Sequence, residues 1–195
     1  MKFTDAPGAT PIDLDGVKDL IPPLTTQEQL NAFEQTNIAA AMDWARKIRK
    51  LKAELLSVGG ISLLHKKMFS ETWRWAGAFR RKDLNIGVPW AQVQEQLKML
   101  CDDAAYWDQN HTYPPPELAV RFHHRLVQIH PFANGNGRLS RLAADLFLHY
   151  RNESPLTWGG SINLVDATQD RGEYITALGE ADKGEFSRLM RFAMK

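Results

Sequence analysis

Apolar residues recur at helical spacing through most of this chain, and the places where the spacing fails divide it into elements. Leu30, Phe33, Ile38, Ala41, Trp44 and Ile48 fall close to one face of a long segment that opens on the capping pattern Thr25-x-x-Glu28. Gly59-Gly60 is expected to interrupt it before ISLLHKKMFSETWRW resumes the period. Val93, Leu97, Leu100 and Ala104 form the next apolar stripe. After the break HTYPPP, the run ELAVRFHHRLVQI reads as a buried helix. Another helix is expected from Gly137 or Arg138 through LSRLAADLFLHY, and two short ones in EYITALGEA and EFSRLMRFA.

Two stretches depart from this period. In AGAFRRKDLNIGVPW, the residues Gly77, Asp83, Asn85, Gly87 and Pro89 argue for a small β hairpin or loop over about 77–90. The first 24 residues carry Pro7, Gly8, Pro11, Gly16, Pro22 and Pro23 and read as an extended arm. The expected architecture is a mostly α bundle over 25–195 with a small hairpin, preceded by the arm over 1–24.

Composition narrows the function only a little. A net charge of +1 gives no bulk attraction to nucleic acid or an anionic membrane, so any anion binding must be local. One cysteine, Cys101, allows no intrachain disulfide and reads as a core residue. The N-terminus lacks the apolar core of a secretory signal, and no run reaches the ~18 apolar residues of a membrane span. A cytoplasmic, non-membrane protein is expected.

The chemistry concentrates in HPFANGNGRLSR, residues 130–141. Pro131 cannot extend a helix and disfavours helical geometry at His130, which places that imidazole at a helix end. Phe132 is suited to pin the loop to the core. Gly135, Asn136 and Gly137 tolerate positive φ, so their N–H groups can form an anion nest at the start of the next helix. Arg138 and Arg141, three apart, share the face beside it and can grip phosphate oxygens in bidentate fashion. A phosphate cradle with a titratable base at its lip suits nucleotide-dependent group transfer to a hydroxyl. His123, His124 and His130 also raise a metal hydrolase, but there is no HExxH and no Cys pair to complete a site.

The motif resembles the signature of the Fic (filamentation induced by cAMP) family, His-Pro-Phe-x-acid-Gly-Asn-Gly-Arg-x-x-Arg. Eleven of its twelve positions fit. LHKKMFSETWRWAGAFR and RGEYITALGEADKGEF are similar to the segments that lead into the family's flap and close its bundle. With GATPIDLDG, NAFEQTNI and SPLTWG added, the chain resembles the Fic subgroup called mobile mystery protein B.

The resemblance implies a protein adenylyltransferase, moving AMP from ATP to a Ser, Thr or Tyr hydroxyl of a protein target. His130 would deprotonate that hydroxyl. Asn136 and the 135–137 backbone would hold the phosphates, with Arg138 and Arg141 orienting them. Leu84, Asn85, Ile86 and Gly87 would form the flap on which the target docks by strand addition.

Mg²⁺, or Mn²⁺, would accompany the ATP. At the family's acidic metal-holding position stands Asn134, whose amide brings no charge to a hard cation. Many relatives are restrained by an inhibitory glutamate that pairs with the second motif arginine. Glu34 is the candidate by its place in the chain and would contact Arg141. A separate inhibitory partner protein is equally compatible with the resemblance. The alternatives are a phosphotransferase of the death-on-curing type, whose motif carries Ala and Lys around the Asn, and a silent nucleotide- or partner-binding module.

Overall fold

A computed structural model describes residues 18–160 and 169–195. Eight helices carry this part of the chain: α1 (Gln27–Lys47), α2 (Arg49–Glu54), α3 (Val58–Phe69), α4 (Val93–Gln109), α5 (Pro115–Ile129), α6 (Asn136–His149), α7 (Gln169–Ala181) and α8 (Ser187–Ala193). Residues 1–17 of the expected arm lie outside the described residues. The rest of the arm is tied down: Leu20 bridges antiparallel to Trp73, and the Ile21 N–H donates to the Thr72 carbonyl at 2.9 Å.

Helix α1 is capped one residue later than the sequence suggests. Thr26, not Thr25, accepts from the Gln29 N–H at 3.2 Å, and the Gln29 side chain accepts in return from the Thr25 and Thr26 N–H groups. Its buried stripe is Leu30, Glu34, Ala41 and Ala45, so a carboxylate sits where an apolar residue is the rule. Gly59 and Gly60 lie inside the first turn of α3, and the break falls before them, at Ser57. Gly60 has a steric reason, since a Cβ there would stand 1.9 Å from the Glu54 carbonyl oxygen.

Helices α5 and α6 form the central pair, flanked by α1, α3, α4 and α8. Between them the motif loop is nailed to the core by Phe132, buried with Phe69, Phe122 and Phe147. The expected hairpin over 77–90 is absent: among the described residues this segment has no paired strand and runs as an irregular loop into the 3₁₀ turn Trp90–Gln92. Its shape comes from side chains instead, with Asp83 accepting from the Trp90 N–H at 2.7 Å. Cys101 is a buried core thiol, pushed up to about 12 by its burial. Among the described residues no helix is long and apolar enough to cross a membrane.

Candidate active site

Helix α5 stops at His130 because the next residue is Pro131 and because His130 turns left-handed, at φ 54° and ψ 61°. That conformation is uncommon for a residue with a Cβ and costs roughly 1–2 kcal/mol. The His130 Nδ1 faces the Val127 carbonyl at 3.2 Å. A carbonyl only accepts, so the proton resides on Nδ1 and Nε2 is the basic atom. Burial is the main influence on the ring and lowers it from 6.5 to about 4, against the Val127 hydrogen bond and with help from the Arg80 cation. It is therefore neutral at pH 7, the state a proton acceptor needs.

The loop beyond it is closed by amide groups. Asn136 spends both ends of its side chain on Phe132, with Oδ1 accepting from the Phe132 N–H at 2.9 Å and Nδ2 donating to its carbonyl at 2.8 Å. The expected nest is correspondingly smaller. Only Gly135 takes positive φ, 79°, while Asn136 and Gly137 are already the first turn of α6. What remains of the expected nest is the N-terminus of α6, where the first N–H groups have no intrahelical acceptor and could receive an anion. Gly135 packs so closely that a Cβ would meet the Phe69 ring at 2.6 Å.

His65, from α3, completes the support. It is fully buried, stacks on Phe132 with centroids 3.8 Å apart, and accepts from the Gly77 N–H through Nδ1 at 3.0 Å. Its Nε2–H then donates to the Asn134 carbonyl at 3.1 Å. Burial, which outweighs that last bond, drives it down to about 3, so this ring is a neutral strut.

At the other end of the motif, Arg138 meets the buried Glu34 carboxylate through Nη1, and its Nη2 donates to the Asn134 side-chain oxygen at 3.3 Å. The second Glu34 oxygen accepts from the Trp73 indole N–H at 2.7 Å. The expectation that Glu34 would reach Arg141 is corrected here: one turn of α6 brings Arg138, not Arg141, to face α1. Arg141 lies instead 5.7 Å from the Tyr174 ring of α7, and the Tyr174 hydroxyl reaches the His123 Nε2 at 3.1 Å.

The histidines do not gather into a metal site. His123 faces Tyr174, His124 faces Asp182, and no group of three or more His, Cys, Asp or Glu among the described residues could hold an ion. Asn134 does not fit the role of metal ligand either. Its side-chain oxygen accepts from its neighbour Gly135 N–H at 2.5 Å and from Arg138, and among the described residues no cluster of acidic groups that could hold an ion surrounds it. Of the expected flap residues Leu84, Asn85, Ile86 and Gly87, the last lies against His130: a Cβ on Gly87 would stand 2.7 Å from the His130 Cβ.

The family model described as Fic/DOC family matches residues 55–148, which hold the whole motif and its support His65. Over those residues the chain is similar to a Fic domain. A protein adenylyltransferase fic-1 of Caenorhabditis elegans is 30% identical over 127 residues, covering 62% of this chain and 23% of the relative. The protein adenylyltransferase Fic of Drosophila grimshawi is 26% identical over 171 residues, covering 83% and 33%. The chain thus spans only about a quarter to a third of the curated relatives it matches.

Among solved structures, a fragment of Fic-1 from C. elegans superposes with a TM-score of 0.63 at 26% identity, over 91% of this chain and 51% of that one. The N-terminal Fic domain of a VirB-translocated effector from Bartonella quintana, with bound ADP, gives 0.66 over 90% and 87%. At 16% identity this second likeness speaks for the fold alone.

Sequence reasoning missed His65, Trp73, Arg80 and Tyr174. His65 left a signal, a polar residue on the apolar face Ile61, Leu64, Met68 of its helix. Arg80 left none, because Arg80-Arg81-Lys82 reads as a solvated charge run.

Proposed function

We propose that this Fic domain is a protein adenylyltransferase whose resting form is restrained by Glu34. The target hydroxyl attacks the α-phosphorus of ATP while His130 Nε2 takes its proton. A phosphorus–oxygen bond to the target forms, the bond to the bridging oxygen breaks, and pyrophosphate leaves with the electron pair. The α6 N-terminus and Arg138 are aimed at charge on the phosphates, and Arg141 lies one turn further along α6. Asn136 acts by shaping the loop through Phe132. A target segment would dock along Leu84–Gly87, beside the base. Any Mg²⁺ or Mn²⁺ would be carried by the nucleotide's phosphates and water, because Asn134 is committed elsewhere. The expected setting is the cytoplasm, where ATP is available.

The observation that carries this reading is the pair of states at the two ends of the motif: a neutral base with its proton on Nδ1, and an arginine engaged by a buried carboxylate. Phosphate would have to displace Glu34 from Arg138, so the free enzyme is slow and Glu34 is the restraint. A separate inhibitory protein would act on top of this contact. The death-on-curing alternative is disfavoured by Gly135, since the alanine typical there would meet both the positive φ and the Phe69 ring.

The test uses ATP labelled at either the α- or the γ-phosphate, on the parent and on Glu34→Gly. Protein label from the α position alone, increased in Glu34→Gly, supports AMP transfer. Label from the γ position alone would replace it with phosphotransfer. Nucleotide binding with no label in either variant, across candidate targets, would leave the silent binding module as the better account.

A further inference from the structure

Arg80 is 5% exposed, and among the described residues the carboxylate that approaches it is that of Asp83, at 3.7 Å, with a side chain 69% exposed. Its guanidinium is directed at backbone carbonyls. Nε donates to His130 at 2.7 Å, Nη1 to Lys82 at 3.0 Å, and Nη2 to Val88 and, at 3.4 Å, to Ile129. Two of these oxygens belong to the C-terminal end of α5, where carbonyls lack intrahelical donors and the helix dipole favours a cation. The other two belong to the loop over 82–88. Only a planar fork with five donors can serve both at once.

Backbone contacts reinforce the same junction. The Arg80 N–H donates to the Pro131 carbonyl at 3.0 Å, and the Val88 N–H to the Ile129 carbonyl at 3.4 Å. Gly87, at φ 105°, leaves no room for a Cβ between His130 and the Arg80 guanidinium. Loop and helix end therefore meet without a gap, and the junction includes the one left-handed residue that carries the base.

We propose that Arg80 is a positioning residue for the transfer reaction: its guanidinium clamps the 82–88 loop to the end of α5 and fixes the backbone of His130, so that base and target-docking segment move as one body. This rests on the adenylyltransferase reading. Arg80 is the charged group that bears on His130, alongside burial and the Val127 carbonyl.

The experiment compares the parent with Arg80→Gln and Arg80→Lys, confirmed as folded by thermal melting, by ¹⁵N-histidine NMR and amide exchange and then by AMP-transfer kinetics. In Arg80→Gln the His130 titration should move up from its parent value and Val88 exchange should accelerate. Turnover should fall about a hundredfold, the scale of a misplaced reacting group, with KM for ATP little changed. Arg80→Lys keeps the charge but not the fork, so its His130 titration should stay low while Val88 exchange and turnover still change.

Parent-like Val88 exchange, His130 tautomer and turnover in both folded variants would overturn the clamp. A parent that transfers no AMP would count against the enzymatic reading alone. The NMR and exchange results would still decide whether Arg80 holds loop and base together.

Discussion

At the start of the motif the base is held by backbone: His130 donates to Val127, and Arg80 seizes the carbonyls around it. At the end of the motif the arginines are met by side chains from distant helices, Glu34 of α1 for Arg138 and Tyr174 of α7 for Arg141. Backbone partners cannot be exchanged without remaking a helix end, whereas a carboxylate can be displaced by a competing anion. The proton-accepting half is therefore permanent, and the phosphate half is conditional. On the adenylyltransferase reading, control has to act where the arginines are.

The sharpest way to break this contrast is to remove each half in turn. His130→Ala should lower AMP transfer by about 10²–10⁴-fold, the usual contribution of a positioned base, with ATP affinity retained. Turnover assays and equilibrium binding on the same preparation check it. A loss of binding instead would mean that the histidine also holds the nucleotide.

Glu34→Gly should act in the opposite direction, tightening ATP binding about tenfold or more as a charge-assisted competitor is removed. It should also destabilise the fold by roughly 3–5 kcal/mol, because Arg138 and the Trp73 indole lose a buried partner. Glu34→Gln, which preserves an acceptor for Trp73, should keep more stability while still freeing ATP binding. Calorimetric titration and denaturant unfolding separate the two effects.

Acid tests the permanent half. His65 and His130 titrate at about 3 and about 4 in the fold against an ordinary 6.5, and burial also puts His123 well below 6.5. Below pH 6.5 the unfolded chain takes up protons that the native rings refuse. Stability is thus fully present above 6.5 and falls as the pH drops toward 4 and then 3, by about 1.4 kcal/mol per pH unit for each ring.

Asp145 acts with the opposite sign. Burial raises it from 3.8 to about 6, so its contribution is present below 3.8 and lost as pH rises through 6. Three histidines outweigh one aspartate, and urea unfolding between pH 7 and 4 should show a net decline. His65→Phe should flatten it while losing baseline stability, since Gly77 and Asn134 lose their partner.

The smallest effect is expected at the metal position. Asn134→Asp should raise divalent-cation affinity of the ATP complex by a few-fold, on the order of one added charged oxygen ligand. Titration of Mg²⁺ at fixed ATP measures it. No change would indicate that Arg138 retains the new carboxylate.

The elements that could be read from sequence are those with a one-dimensional signature. The stripe Val93, Leu97, Leu100, Ala104 is buried as its spacing requires, and Pro131 ends α5 where its missing N–H says it must. The motif displayed the base and both arginines without any knowledge of their partners. The flap hairpin failed because glycine, asparagine and proline mark a reversal of the chain without saying whether strands or an arginine will hold it. The wrong arginine was expected against Glu34 because the angle at which α1 crosses α6 is written in no local pattern. Asn136 looked like a ligand because an asparagine between glycines gives no sign that both its ends are already spent.

Glu34 and Arg138 stand 104 residues apart, whereas Glu34 and Trp73 are separated by 39. On a growing chain the glutamate can find its indole well before the guanidinium has been made, a delay of some seconds of synthesis. When α6 emerges, the carboxylate is already oriented to receive it. If Glu34 is the restraint proposed above, the restrained arrangement then forms together with the phosphate site, and a newborn molecule passes through no interval in which that site stands complete and unguarded.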